Sequence, residues 1–293
     1  MKLSSVYCAF IALFLQHTAD ASLPVVLWHG MGDHSTGLES LVNLITGQIP
    51  DIYVTSIRIG KNEEEDIFNS YFMNVNDQVD MVCQMLSDDP KLAKGFNFLG
   101  FSQGGQFARA VVQRCSLPVA NLITFGAQHQ GVFGFPRCPG SNETLCNLVR
   151  KMLSYGAYEG FVQDHVVQAQ YWHDPNKEET YREKSIFLAD INNEREVKQR
   201  YKDNLLKLEK FVMVLFTKDS FVQPIESETF GQYAPGQSSK VLPMEETELY
   251  KSDRIGLKTL NEQGKLKNYT VIGDHLKFTH EWFINTIVKN YLV

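Results

Sequence analysis

Residues 100–104 (GFSQG) carry the pattern G-x-S-x-G, which places a serine between two glycines. The pattern lies between a buried apolar run and a segment with helical spacing, which is the context of a nucleophile elbow. At such an elbow the hydroxyl of Ser102 projects at the start of a helix, where the helix dipole and the free N–H of Gln103 favour developing negative charge. The alternative is an ordinary Ser-Gly turn that caps a helix. The context predicts a nucleophilic serine.

A serine hydroxyl is a weak nucleophile until a neighbouring base takes its proton. In chains with this elbow, the acid and then the histidine follow the serine in the sequence. We predict His275 as the base because it follows the last predicted strand, whereas His280 begins the final helix. Asp219 directly follows a strongly apolar strand and is predicted to orient the imidazole. Asp274 adjoins the base in the chain and is a poor candidate for that role.

Residues 29–33 (HGMGD) follow the first predicted strand, and their glycines allow backbone amides to approach a substrate. A second oxyanion donor should come from this loop. We predict the backbone N–H groups of Met31 and Gln103 as the two donors. His29 precedes the nucleophile in the chain, so we expect a structural role for it, as for His129 and His165.

The elements that must position these residues alternate along the chain. Predicted strands occupy residues 23–28, 52–59, 96–101, 119–125, 211–216 and 269–272. Helical spacing between them implies an α/β class fold with a mostly parallel central sheet and helices on both faces. Residues 130–205 interrupt this rhythm with consecutive helical stripes, which we interpret as a mostly helical insertion; the alternative is two more core helices. We expect one domain over residues 22–293, with its core at 22–129 and 206–293.

The composition is that of a globular protein: 43% of the residues are hydrophobic, 21% are charged, and the net charge is −6. This excludes a disordered or collagen-like chain, and the mildly acidic balance argues against nucleic-acid binding. Residues 1–21 combine a basic start, an apolar run at 6–15 and an Ala-Asp-Ala cleavage pattern, which predicts a secretory signal peptide. No other segment is apolar enough for a transmembrane helix, which needs about 20 residues.

Four cysteines remain after cleavage: Cys83, Cys115, Cys138 and Cys146. An even number in an oxidising compartment predicts two disulfides, for which three connectivities exist. Their short separation favours Cys138–Cys146 as one pair. The spacing contains no C-x-x-C pair, so we expect no zinc or other metal site. Asn142 and Asn268 lie in sequons and are candidates for glycosylation.

Several longer stretches are more specific than the pentapeptide. They are WHGMGD (28–33), GFSQGGQFARAVVQRC (100–115), QHQGVFGFPRCPG (128–140), YWHDP (171–175), SIFLADIN (185–192), KFVMV (210–214) and GDHL (273–276). Through these stretches the chain resembles the lysosomal palmitoyl-protein thioesterase family over nearly all of its mature length. Residues 34–37 (HSTG) depart from relatives that carry neighbouring cysteines there, and Lys218 departs from relatives with a sequon at the acid.

The resemblance implies an α/β-hydrolase fold with a helical insertion. It implies a Ser102–His275–Asp219 triad with oxyanion donors at Met31 and Gln103, in agreement with the assignment from the residues. Two further implications are the disulfides Cys83–Cys115 and Cys138–Cys146. The family also implies residence in the lysosome after entry into the secretory pathway, with secretion as an alternative.

The expected function is hydrolysis of long-chain fatty acyl thioesters from S-palmitoylated proteins or peptides through an acyl-serine intermediate, without a cofactor. The aromatic content of 12% fits a lipid substrate. The candidate residues of the acyl groove are apolar residues of the insertion: Met152, Tyr158, Phe161, Val162 and Trp172. The alternatives are a lipase or carboxylesterase on the same triad, and a catalytically silent lipid-binding module of the same fold.

Overall fold

The computed structural model describes residues 22–134, 137 and 143–293. Three predictions lie outside these residues in whole or in part: the signal peptide at 1–21, the Cys138–Cys146 pair and the glycosylation candidate Asn142. Among the helices in the described part of the chain, none is both long and apolar enough to cross a bilayer.

The eight strands of the described chain form one large sheet and one short hairpin. Their bounds are β1 Val25–Trp28, β2 Val54–Ser56, β3 Phe96–Phe101, β4 Val119–Phe125, β5 Lys210–Phe216, β6 Gln232–Tyr233, β7 Val241–Leu242 and β8 Leu266–Val271. The large sheet has the order β2-β1-β3-β4-β5-β8, and every neighbouring pair is parallel. The antiparallel pair β6–β7 stands apart from it.

The helices lie between these strands. Their bounds are α1 Glu39–Gln48, α2 Glu63–Phe72, α3 Val75–Asp88, α4 Gln103–Arg114, α5 Glu143–Tyr155, α6 Gly160–His165, α7 Val167–Gln170, α8 Glu178–Lys184, α9 Leu188–Ile191, α10 Gln199–Leu206, α11 Glu248–Lys251, α12 Leu257–Glu262 and α13 His280–Trp282. The last one continues as a π-helix over Phe283–Leu292. Short 3₁₀ turns occupy Ser35–Leu38, Ile225–Thr229 and Met244–Glu246.

Helices cover the central sheet on both faces, because successive strand side chains point to opposite sides. Val26 and Trp28 of β1 pack in one apolar cluster with α3 and α4, whereas Val25 and Leu27 pack in another with α1 and the C-terminal helix. Each residue of β1 and β3 is buried, as expected for strands covered on both sides. The predicted parallel sheet of an α/β-hydrolase fold is therefore confirmed.

The strand bounds differ most from the prediction at the edge of the sheet. β2 keeps only three residues of the predicted range 52–59, because it hydrogen-bonds to β1 alone and the register ends where Leu27 pairs with Ser56. The hairpin β6–β7 was not predicted, since its strands of two residues are too short to show alternation.

The six helices α5–α10 follow one another between β4 and β5 and fall into two groups by packing. Helices α5 and α6, which we call the lid helices, bury Val149 and Val162 in a cluster with Tyr71 of α2. Further along the chain, Tyr181 and Phe187 belong to the main cluster on the α4 face of the sheet. The lid helices therefore pack in an apolar cluster that is separate from the two clusters on the faces of the sheet.

A disulfide joins Cys83 on α3 to Cys115 at the end of α4, and so links two helices that cover the same face of the sheet. Asn268 lies on the edge strand β8 with an exposed side chain.

Candidate active site

The turn between β3 and α4 holds Ser102 in a strained backbone conformation. Its φ is 53° and its ψ is −129°, a region that residues other than glycine rarely adopt. Its N–H donates to the carbonyl of Phe125 at 2.7 Å. A Cβ at Gly100 would lie 2.4 Å from the Cα of Gly105, and one at Gly104 would lie 2.3 Å from the carbonyl oxygen of His29. The glycines of the pentapeptide therefore allow the close approach of β1, β3 and α4 at this turn.

Three side chains from separate strand ends meet at this turn. The hydroxyl of Ser102 lies 2.9 Å from Nε2 of His275, and Nδ1 of His275 is hydrogen-bonded to Oδ2 of Asp219. Oδ1 of Asp219 accepts the backbone N–H groups of Phe221 and Val222 at 2.7 and 2.8 Å. Burial acts to raise the pKa of Asp219, but the hydrogen bond and charge of His275 hold that pKa below its ordinary value. Asp219 is thus an ionised acceptor that directs the Nδ1–H of the imidazole.

Asp274 connects the loop that carries His275 to the loop that carries Asp219 by hydrogen bonds. Its Oδ1 accepts the N–H and the hydroxyl of Ser220 at 2.9 and 2.8 Å, and also the N–H of His275 at 2.8 Å. The ring of His275 packs over the backbone of Gly126, where a Cβ would lie 2.9 Å from Cε1. His280, in contrast, is exposed at the start of α13.

The loop after β1 lies directly against the serine. A Cβ at Gly30 would lie 2.9 Å from the Cβ of Ser102. Within the described residues, the backbone N–H groups of Met31 and Gln103 have no protein acceptor. Both proposed oxyanion donors are therefore free to bind a ligand atom beside the hydroxyl.

A buried ion pair anchors this loop. Both ring nitrogens of His29 face acceptors: Nδ1 donates to the carbonyl of Gly30 at 2.9 Å and Nε2 to Oδ1 of Asp66 at 3.0 Å. Burial acts to lower the pKa of His29, but the hydrogen bond and charge of Asp66 outweigh it and raise the pKa. Asp66 also accepts the N–H groups of Ser35 and Ile59, each at 2.8 Å. His29 therefore links the loop to Asp66, an arrangement that fits the structural role expected for it.

Buried glutamine side chains surround the serine, and the sequence analysis had singled out only the backbone N–H of one of them, Gln103. The side-chain amide of Gln128 donates to the Ser102 hydroxyl at 3.2 Å, and its oxygen accepts from Gln106 at 3.3 Å. The side chain of Gln103 donates to the carbonyl of Ser70 at 2.8 Å and accepts the hydroxyl of Tyr171 at 3.1 Å. A second missed residue is Glu228, whose carboxyl lies beside Asp219. For Gln128 the signal in the sequence was the Gln-His-Gln stretch that carries the family resemblance, and Glu228 had no signal.

Two cavities open beside the nucleophile. A narrow one is lined by Met31, Ser102, Gln128, Val132, Gly134, Leu153, Gln168, Tyr171, Trp172 and Phe221. A wider, open cleft is lined by His275 and by apolar residues that include Leu38, Leu41, Phe101, Leu276 and Phe278. The reacting serine therefore stands between an apolar cavity under the insertion and an apolar cleft that faces solvent.

The candidates for an acyl groove do not all reach the narrow cavity. Trp172 lines it, whereas Met152 packs against the lid cluster and Val162 is buried inside that cluster. Phe161 is 66% exposed and stacks on the ring of His165. The hydroxyl of Tyr158 donates to the carbonyl of Trp172 at 3.3 Å. Successive residues of a helix point about 100° apart, so Val162 and Phe161 cannot face the same space.

The comparisons with known proteins agree with each other. The family model described as palmitoyl protein thioesterase matches residues 24–275. Palmitoyl-protein thioesterase 1 of Caenorhabditis elegans is 48% identical over 94% of this chain and 93% of its own length. Palmitoyl-protein thioesterase 3 of Dictyostelium discoideum is 39% identical over 99% of this chain and 98% of its own. The lysosomal thioesterase PPT2 homolog of Drosophila melanogaster is 32% identical over 83% of this chain and 82% of its own. The chain belongs to the palmitoyl protein thioesterase family.

Proposed function

We propose that this protein hydrolyses long-chain fatty acyl thioesters, in particular those of S-palmitoylated cysteines in proteins or peptides. The observation that carries the proposal is the chain of hydrogen bonds from the Ser102 hydroxyl through His275 to Asp219, at a strained turn between two cavities. Membership of the family supports the class of substrate.

Acylation begins with the proton of Ser102. Nε2 of His275, 2.9 Å from the hydroxyl, takes this proton as the oxygen attacks the thioester carbonyl. Asp219 stabilises the imidazolium and does not itself take the proton. The amides of Met31 and Gln103 bind the oxyanion, and the loss of one such donor costs about 10² to 10³ in rate.

The tetrahedral intermediate then collapses, the carbon–sulfur bond breaks, and the cysteine leaves as a thiolate. A thiol has a pKa near 8.5, so it leaves with little help from an acid. The imidazolium of His275 gives its proton to the sulfur or to solvent. In the second half, His275 activates a water molecule that attacks the acyl-serine, and the fatty acid is released with Ser102 regenerated.

The narrow cavity is the proposed site of the acyl chain and the open cleft that of the departing peptide. Leu153, Tyr171 and Trp172 supply an apolar wall under the lid helices. Burial of an acyl chain contributes about 0.8 kcal/mol per CH₂, so an acyl group of palmitoyl length could supply most of the binding free energy. Charged residues, Asp33, Asp274 and Lys277, line the cleft together with its apolar residues, so it offers a peptide both polar and apolar contacts.

We place the protein in the secretory pathway and propose the lysosome as its destination. The predicted signal peptide supports entry, and the Drosophila relative is named a lysosomal thioesterase homolog. Immunofluorescence of the full chain beside a lysosomal marker tests the location; staining confined to the cytosol would contradict it.

The decisive experiment measures thiol release from a palmitoyl-cysteine peptide by the purified mature chain. Ser102→Ala should abolish turnover, while Ser87→Ala, on the exposed side of α3, should leave it unchanged. A matched palmitoyl-serine peptide tests sulfur against oxygen esters. Faster turnover of the oxygen ester would move the assignment to a lipase or carboxylesterase. A folded protein that turns over neither peptide and is not labelled by a fluorophosphonate would overturn the proposal.

A further inference from the structure

A second carboxyl group is buried against the acid of the triad. Glu228 lies in the 3₁₀ turn Ile225–Thr229, and none of its surface is exposed. Its Oε2 accepts the backbone N–H of Phe216 at 2.8 Å. Carboxylate oxygens of Glu228 and Asp219 and a ring nitrogen of His275 all lie within 4.8 Å of one another. The acid of the triad therefore has a neighbour that the mechanism described above does not use.

The two carboxyl groups lie within 4.8 Å of each other, and Glu228 is fully buried, so two carboxylate anions here would repel each other strongly. One of them must carry a proton. The two oxygens of Asp219 already accept from His275, Phe221 and Val222. Oε1 of Glu228 has no donor among the described residues. The proton therefore belongs on Oε1 of Glu228, from which it can point at Asp219.

We propose that Glu228 is a neutral carboxylic acid that donates a hydrogen bond to the Asp219 carboxylate and so acts as a positioning residue for His275. Oε2 keeps its bond to β5 through Phe216, which fixes the direction of the donated proton. The donated bond holds the Asp219 carboxylate in the orientation that accepts the Nδ1–H of His275. The inference rests on the proposed role of Asp219 in catalysis.

The electrostatics of the site agree with this arrangement. Burial, with the hydrogen bond and charge of Asp219, raises the pKa of Glu228 to about 10. The charged groups that act on Glu228 are Asp219 and, from its own turn, Glu226, while His275 acts on Asp219. Two like charges at this distance in a dry site cannot both ionise, and the group with fewer hydrogen-bond donors around it keeps its proton.

Two variants test whether Glu228 acts by donating a hydrogen bond to Asp219. In Glu228→Gln, the amide can donate to Asp219 while its oxygen accepts from Phe216, so kcat should stay within about threefold of wild type. Glu228→Leu removes both bonds, so kcat should fall about 10- to 100-fold with little change in KM. Equal losses in both variants, or a folded Glu228→Leu protein with wild-type kcat, would overturn the proposal.

Two measurements do not depend on turnover. Infrared difference spectra of wild type and Glu228→Gln at neutral pH should contain the carbonyl stretch of one neutral carboxylic acid, lost in the variant. Because the pKa of Glu228 is higher in the folded than in the unfolded protein, its contribution to the free energy of unfolding is greatest at low pH and falls as the pH rises. The melting temperature of Glu228→Gln should thus increasingly exceed that of wild type from about pH 5 to about pH 8. Without the band and this trend Glu228 is ionised, and the proposal fails even if the enzyme is active.

Discussion

The tightest contact at the nucleophile turn is at Gly104, and we expect a single methyl group there to disable the site. A Cβ at this position would lie 2.3 Å from the carbonyl oxygen of His29 and 2.5 Å from that of Trp28. An ordinary contact begins at 3.4 Å, so the backbones must separate by roughly 1 Å, the difference between 3.4 and 2.3 Å. Both atoms belong to the main chain at the end of β1 and cannot rotate away.

The displacement acts on stability and on rate. Overpacking of this kind costs about 1–3 kcal/mol. In a domain of this size each kcal/mol lowers Tm by about 2–4 °C, so Gly104→Ala should melt about 2–12 °C lower. The same shift moves the loop with Met31 away from Ser102, and a misplacement of about 1 Å costs on the order of 100-fold in rate.

The matched control is Gly47→Ala in α1, where a Cβ would meet no atom within 4 Å. Alanine favours a helix over glycine by up to about 1 kcal/mol, so this variant should melt at or slightly above the wild-type temperature with unchanged kcat. Thermal unfolding followed by circular dichroism gives Tm, and thiol release gives kcat. If Gly104→Ala matches wild type in both, the steric account of the turn is wrong.

Three further predictions concern other parts of the site and fold. The ion pair of protonated His29 stabilises the fold fully below the unfolded pKa of histidine, near 6.5, and this stabilisation is lost as the pH rises through the raised folded pKa. The melting temperature of His29→Gln should therefore fall furthest below that of wild type at acid pH. An equal difference at alkaline pH would contradict the ion pair. Reduction of Cys83–Cys115, which closes a loop with a sequence separation of 32, should lower the free energy of unfolding by about 3–4 kcal/mol, measured by urea denaturation; no change on reduction would argue against the entropic account. Trp172→Ala should alter the acyl chain-length preference of kcat/KM and Phe161→Ala should not, and the reverse pattern would move the acyl site to the outer face of the lid helices.

The sequence predicted the parts of the site that depend on strand ends. Ser102 directly follows β3, and Asp219 and His275 lie in the loops after β5 and β8. The carboxyl ends of parallel strands share one edge of the sheet. Local patterns suffice for such residues, because the topology brings them together. The same rule explains why the loop at Met31 was found, since it follows β1.

Residues that reach the site through burial were not predictable in this way. Glu228 lies in a short 3₁₀ turn without periodicity, and a glutamate there would ordinarily be assigned to solvent. Gln128 likewise gains its place beside Ser102 from tertiary packing. Phe161 and Val162 do lie on a helix, as their spacing predicted. The spacing does not tell whether a helix face points to a cavity, to a neighbouring helix or to water.

The division of helices α5–α10 into two packing groups limits how the region could be exchanged between related enzymes. Tyr181, Phe187 and Leu205 fill the space over α4, so removal of residues 130–205 as a block would leave a hole in the main core. The lid helices bury their apolar side against each other and α2 instead. Evolution or a designer could therefore replace the lid helices alone, and with them the shape of the acyl site, without rebuilding the protein beneath.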